Sequence, residues 1–128
     1  MIRIKRVYRE PSPMDGVRIL IDRMRPRGIS KERAHVVEWR KDVAPSTSLR
    51  TWFRHDPAKW NEFRRQYRTE LTRSGMMEAL KQLARLSPKM TITLVYSAAD
   101  EEHNQAVALK EWLDELSRRA HGSHDVTA

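Results

Sequence analysis

Two stretches of this sequence carry residue types whose spacing could do chemistry. Asp22-Arg23 is followed closely by Pro26-Arg27-Gly28, and Asp100 stands three residues before His103. An arginine fork grips a phosphate or carboxylate through two parallel hydrogen bonds, so Arg23 and Arg27 are candidate anion ligands. Asp-x-x-His on one helical turn presents a carboxylate and an imidazole together, a geometry usable for a general base or a metal ligand. Asp22, Asp100 and His103 are thus the candidate catalytic groups, with Tyr96 or Ser97 able to add a hydroxyl. Plainer readings compete: Asp22 can pair with Arg23 to hold a loop, Pro26-Arg27-Gly28 can be a turn, and His103 can be a capping or surface histidine. No second ligand pair accompanies Asp100 and His103, so no metal is expected, and no pattern names a cofactor.

Several common constellations are missing. Ser97 lacks the flanking glycines of a nucleophile elbow, and Gly16 and Gly28 belong to no phosphate-binding loop or dinucleotide fingerprint. His55-Asp56-Pro57 reads first as the start of a helix, although a histidine there can also contact an anion. The four tryptophans lie mostly among apolar residues at helical spacing, as core residues do; Trp39 and Trp52, outside firm helical patterns, are the exceptions that could stack on a base.

The elements that must position these groups are legible from periodicity. Residues 2–8 alternate apolar and basic before a breaker cluster that includes Pro11, Pro13 and Gly16, and Val17, Ile19, Leu20 and Ile21 form a near-continuous run suited to a doubly buried strand. A third strand spans residues 90–96 after Ser87-Pro88. Asp56-Pro57 caps a helix whose Trp60, Phe63, Tyr67 and Leu71 recur at spacings of 3, 4 and 4, ending near Ser74-Gly75. Arg64, Arg65 and Arg68 fall on one flank of that stripe and form a second candidate anion-binding set. A further helix covers residues 76–86. The last begins after Asp100, read as its N-cap, and carries Ala106, Leu109, Leu113 and Leu116 with Trp112 beside them. Residues 30–41 do not settle on a period.

Together these predict an α/β fold: a single small domain over residues 1–120 with a central, mostly parallel sheet of about three strands flanked by helices, and a disordered tail at 121–128. The third strand, reached through helices, is expected parallel to the second. The eight residues between Tyr8 and Val17 favour an antiparallel first pair, because a parallel crossover normally needs a dozen or more; the direction of the first strand stays open.

Composition narrows the partners. The 128 residues hold 25 Lys+Arg against 17 Asp+Glu, with no cysteine, which excludes thiolate catalysis, iron–sulfur clusters and disulfides. No apolar run approaches a membrane span and the first residues lack a signal-peptide core, so a cytoplasmic protein without membrane association is expected. All of the basic excess lies before Ser74: residues 1–73 carry net +10 and residues 74–128 net −2. One-signed charge of this kind attracts polyanions, although arginine-rich composition also produces basic surfaces with no such role.

Lys5-Arg6-Val7-Tyr8, Pro11-Ser12-Pro13 with Asp15-Gly16, the run from Val17 to Met24, Pro26-Arg27-Gly28, Trp52-Phe53, His55-Asp56-Pro57, and Thr93 to Ala98 with Asp100-Glu101-Glu102-His103-Asn104 resemble the YeaO-like proteins, a bacterial domain of unknown function of the DUF488 type. The resemblance reaches to about Leu116. It implies no mechanism, since no activity is assigned to that family. Longer relatives carry cysteines near the last strand, where this chain has Tyr96 and Asn104, so their thiol chemistry does not transfer. Arg25 stands where YeaO-like sequences usually have an aromatic residue.

Two functions follow as expectations. The first is a module that binds an anionic, phosphate-bearing partner, nucleotide or nucleic acid, through Arg23, Arg27, Arg64, Arg65 and Arg68. The second is a small cysteine-independent enzyme with its site at the carboxyl ends of the strands, where open α/β sheets bind ligands.

Overall fold

The computed structural model describes the backbone of residues 1–127 and the side chains of residues 1–30 and 32–120. Its centre is a four-stranded sheet of β1 (Ile2–Arg6), β2 (Val17–Leu20), β3 (Glu38–Trp39) and β4 (Ile92–Tyr96), in the order β1-β4-β2-β3. Every pairing is parallel, with Ile2 and Val17 both opposite Ile92. The expected parallel relation of the second strand to the one at 90–96 is present. The short link after β1 makes no antiparallel hairpin, because β4 lies between β1 and β2. Residues 7–16 must cross two strand spacings, ~10 Å, and return one strand length, ~16 Å; an extended chain of that length reaches roughly 33 Å. A loop therefore suffices where a helical crossover is usual. The two-residue β3 is an addition to the strands legible in sequence.

One face of the sheet carries the main core. Ile2, Ile19, Ile92, Leu94 and Tyr96 pack beneath helices α2 (Thr47–Phe53), α3 (Trp60–Arg73), α4 (Met77–Leu86) and α5 (Gln105–Thr127). In α3 the predicted stripe is the buried one: Phe63, Tyr67 and Leu71 are inside, with Trp60 partly so. Asp56 accepts from the Ala58 N–H and Pro57 opens a 3-10 turn that runs into α3, as its sequence implies. The stripe of α5 is likewise confirmed, with Ala106, Leu109 and Leu113 fully buried. Helix α2 was not legible as an element. Ser46 caps it by accepting from the Leu49 N–H, and Leu49 and Phe53 supply its inward contacts four residues apart.

Two further differences concern termini. The expected cap of the last helix at Asp100 moves to Asn104, whose Oδ1 accepts from the N–H groups of Ala106 and Val107 at 2.8 and 3.1 Å. Asp100 instead closes the turn before it, accepting from the N–H groups of Glu102 and His103. The expected tail at 121–128 falls on residues whose side chains, and for the last residue the backbone too, lie outside the described residues.

The other face is closed by a smaller cluster, Val7, Leu20, Ala34 and Val95 with Ile29, Val36 and Trp39 against it, and by the one-turn helix α1 (Lys31–Ala34). Between that cluster and the 7–16 link lies a buried charge network. Asp15 is 1% exposed and Arg18 4%. The Asp15 carboxylate accepts from Arg18 Nη1 at 2.6 Å, from Lys5 Nζ at 3.1 Å and from the Ser12 N–H at 3.0 Å, while its carbonyl accepts from the Thr93 hydroxyl at 2.6 Å. Arg18 reaches on with Nε and Nη2 to the Ala34 carbonyl. Gly16 follows at φ +64°, where a Cβ would stand 2.2 Å from the Thr91 carbonyl oxygen, so no other residue fits this turn.

Burial opposes ionisation of Asp15, but the Ser12 N–H, Lys5 and Arg18 together hold its carboxyl below the ordinary value of 3.8. Its contribution to stability is complete above that value and is lost as pH falls through the lower native one. Asp15→Asn strands the Arg18 guanidinium and is expected to cost about 3–5 kcal/mol in denaturant unfolding at pH 7. Thermal melts of the variant should also show a shallower loss of stability below about pH 4 than the parent. Gly16→Ala should destabilise the chain by several kcal/mol in the same titration, roughly the upper range for point substitutions, because the clash is with backbone and not with a movable side chain.

Candidate functional site

Because β1, β2 and β4 run the same way, their following loops leave one edge of the sheet together. Between them opens a cleft of about 590 Å³. The loop after β2 supplies Asp22, Arg23, Arg25 and Arg27; the end of β1 supplies Arg6 and Tyr8; the turn after β4 supplies Ser97. Helix α2 adds Arg50, and Gln105 stands at the first position of α5. Five arginines thus face a single carboxylate.

The arginines divide by what they already hold. Arg23 donates from Nε to the Pro45 carbonyl and from Nη2 to the Ala44 carbonyl, at 3.0 and 3.2 Å, and so anchors the segment leading into α2. Arg6 donates to the Ala98 carbonyl at 2.9 Å and lies 4.9 Å from the Tyr8 ring centre. The Tyr8 hydroxyl donates to the Arg27 carbonyl at 2.8 Å, which ties the loop after β2 to the end of β1. Arg25, Arg27 and Arg50 are exposed, and among the described residues their guanidinium groups have no hydrogen bond or ion pair. Of the predicted anion ligands, Arg23 and Arg27 line the cleft, the first already committed and the second free.

Asp22 forms the floor. It is 6% exposed and accepts from Gln105 Nε2 at 2.7 Å. Burial pushes its carboxyl above the ordinary value, opposed by hydrogen bonds from Ser97 and Gln105 and by the positive charge of Arg50. The internal Asp22–Arg23 pair weighed from the sequence does not form, since Arg23 is turned to the two carbonyls and Asp22 to Gln105. The Asp22 carbonyl accepts from Trp39 Nε1 at 2.6 Å, and Lys41 lies over the Trp39 ring, so this tryptophan is a structural anchor. Trp52 is covered in part by Lys59, whose ammonium sits 5.1 Å from its ring centre.

Asp100 and His103 are joined to each other and not to the cleft. Asp100 Oδ2 lies 3.1 Å from His103 Nδ1, and the His103 ring stands edge-on to Trp60 at 5.4 Å. The N–H of Glu102, with the ring and N–H of His103, holds the Asp100 carboxyl below its ordinary value despite some burial. Arg64 and Arg68 reach across to α5, Arg64 to Glu111 at 2.6 Å and Arg68 to Glu115 through two bonds of 2.9 and 3.1 Å. Arg65 pairs with Glu62 one turn back. These three arginines form a seam between α3 and α5 and a solvated face, and carboxylates of the same chain answer their charge. Among the described residues no group of three or more His, Asp or Glu side chains is placed to hold a metal ion, and no helix is long and apolar enough to cross a membrane.

Arg25, Arg50 and Gln105 were missed as site residues in the sequence. Arg25 had a usable signal, standing before Pro26 in the loop that follows β2. Arg50 lay in a helix that periodicity did not reveal, and Gln105 reaches Asp22 only because Asn104, not Asp100, caps α5.

A family model described as the inactive DUF488-N3 subclade matches residues 1–127. The uncharacterised protein YeaO of Escherichia coli K12 is 41% identical over 115 residues, which cover 90% of this chain and 98% of YeaO. The uncharacterised proteins Rv3073c of Mycobacterium tuberculosis H37Rv and Mb3100c of Mycobacterium bovis are each 38% identical over 113 residues, 88% of this chain and 93% of theirs. No solved structure matches at a significant level.

The raised Asp22 carboxyl fixes the sign of one experiment. The native state holds this proton more tightly than the unfolded chain, so the Asp22 contribution is most favourable below 3.8 and is lost as pH rises through the native value. Asp22→Asn mimics the protonated form. It should raise stability at pH 7 by roughly 1 kcal/mol, a few degrees in Tm, with the advantage closing as melts are repeated toward about pH 3.

Proposed function

We propose that this chain, which belongs to the YeaO-like DUF488 family and within it to the inactive N3 subclade, binds an anionic, phosphate-bearing partner, a nucleotide or nucleic acid, in the arginine-lined cleft at the ends of β1, β2 and β4. The observation that carries this reading is the set of three exposed guanidinium groups, Arg25, Arg27 and Arg50, without a hydrogen bond or ion pair among the described residues, around a cleft at the edge where open α/β sheets take ligands. Arginine suits the task better than lysine, because its planar fork matches phosphate oxygens two at a time. The α3 arginines Arg64, Arg65 and Arg68 drop out, having partners of their own.

The description of the matching subclade as inactive supports binding over turnover. So does the placement of the enzyme candidates: Asp22 lines the cleft, whereas Asp100 and His103 are not among its lining residues.

Fluorescence anisotropy with a labelled nucleoside triphosphate and a labelled single-stranded oligonucleotide tests the reading. Log affinity should fall steeply with log salt, as phosphate neutralisation requires. Arg27→Gln and Arg50→Gln should each weaken binding by about tenfold, the loss of one charged hydrogen-bonding partner, while Arg65→Gln leaves it unchanged. A response flat in salt, or equal losses in all three variants, sinks the proposal.

A further inference from the structure

The arginine cleft does not end at its basic walls. Beside it lies a second recess of about 230 Å³ that shares Met24, Arg50, His55 and Gln105 with the cleft and is otherwise lined largely by Phe53, Phe63, Thr47 and Thr51. The two hollows are thus neighbours across four common side chains. One is basic and the other mainly apolar, with Phe53 and Phe63 stacked 4.3 Å apart and nearly fully buried in its wall. The recess is smaller than the ~300 Å³ at which independent small-molecule sites begin, but it suits one flat ring continuing from a ligand in the cleft.

Gln105 stands between the two hollows and donates at 2.7 Å to Asp22 on the cleft floor. A buried carboxylate repels a phosphate set against it and favours donors such as sugar hydroxyls. Resting on the anion-binding reading above, we infer that the ligand is a mononucleotide. Its phosphate lies among Arg25, Arg27 and Arg50, its sugar against Asp22 and Gln105, and its base in the recess bounded by Met24, His55 and Phe53. A nucleic-acid strand would need a track of successive cationic groups, and the second arginine cluster of this chain, on α3, is already paired with Glu62, Glu111 and Glu115. The recess also offers few groups to read a base edge. Asn104 spends its amide on the α5 cap and on the Asp100 carbonyl, which leaves the Thr47 and Thr51 hydroxyls and the His55 ring. Purine and pyrimidine mononucleotides should accordingly bind within about tenfold of one another, because stacking contacts are tolerant of base identity.

Calorimetric titration of the whole chain with adenosine 5′-monophosphate, ribose 5-phosphate, adenosine and a single-stranded oligonucleotide decides the matter. The monophosphate should bind at least about tenfold tighter than either adenosine or ribose 5-phosphate, and the oligonucleotide no tighter than the monophosphate. Of the three phosphate-site arginines only Arg50 borders the recess, and Arg25 and Arg27 do not. Thr51→Trp fills the recess from an exposed position on α2. It should bring the monophosphate down to the affinity of ribose 5-phosphate while leaving ribose 5-phosphate unchanged; Thr47→Trp serves the same purpose if the first variant melts early. Equal binding of ribose 5-phosphate and the monophosphate overturns the base recess and leaves the anion reading standing. An oligonucleotide bound about tenfold tighter than the monophosphate overturns it in favour of nucleic acid. Absence of binding by all four removes both readings together.

Discussion

The Asp15 carboxylate, sealed from solvent between Lys5, Arg18 and the Ser12 N–H, is the constraint from which the arrangement of the sheet follows. A link of ten residues cannot hold two strands on either side of a third by its own stiffness. It needs a fixed point on the sheet, and a buried ion pair supplies one only when every charged oxygen and nitrogen finds a partner. Here the carboxylate is met from β1, from β2 and from its own turn, and the turn is laid against β4 through Thr93. Arg18 passes the tie outward to Ala34 and so positions the small layer over the second face. With β1 and β2 locked parallel beside β4, three strand ends open on one edge, and the cleft exists because of that alignment.

How far the sequence revealed this depends on the range of the interactions involved. Helix α3 and the apolar stripe of α5 were legible because caps and helical spacing are local, and β4 because a run of buried β-branched residues bounded by Ser87-Pro88 admits few other structures. Helix α2 has only two inward residues and escaped notice. The two residues of β3 carry no pattern at all; Trp39 is placed by the Asp22 carbonyl, and nothing local announces that. Arginine fates were the hardest to foresee. Arg64 and Arg68 find their carboxylates 47 positions away on α5, whereas Arg25 and Arg27 find none among the described residues and Arg50 faces Asp22 without forming an ion pair. Residue type and spacing identify a cation, but only the fold says whether its charge is answered. The Pro-Ser-Pro-x-Asp-Gly stretch shows the same limit: it reads as a breaker, and its reason appears only when Thr91 comes to lie against Gly16.

The cleft holds an internal tension that the rest of the molecule tolerates. Its floor is a carboxylate whose burial disfavours its charge, and its rim is a group of cations that repel one another. Along the α3–α5 seam Arg64 and Arg68 each lie near a tryptophan ring as well as a glutamate, although the buried Arg64 Nε has no hydrogen-bond partner among the described residues. In the cleft, by contrast, Arg25, Arg27 and Arg50 stand together without an ion pair among the described residues.

The central position of β4 also governs the order in which the chain can assemble. Strands β1 and β2 emerge first, yet each makes its main pairing with residues 92–96, so until those are synthesised β1 has no sheet partner and β2 has only the two-residue β3. Until then both present unpaired edges of the kind that invite intermolecular pairing. The charges alternating along them, Arg3, Lys5 and Arg18, discourage that association in the nascent chain. The same Lys5 and Arg18 that later enclose Asp15 therefore serve first as a guard on strands that wait for the last one to arrive.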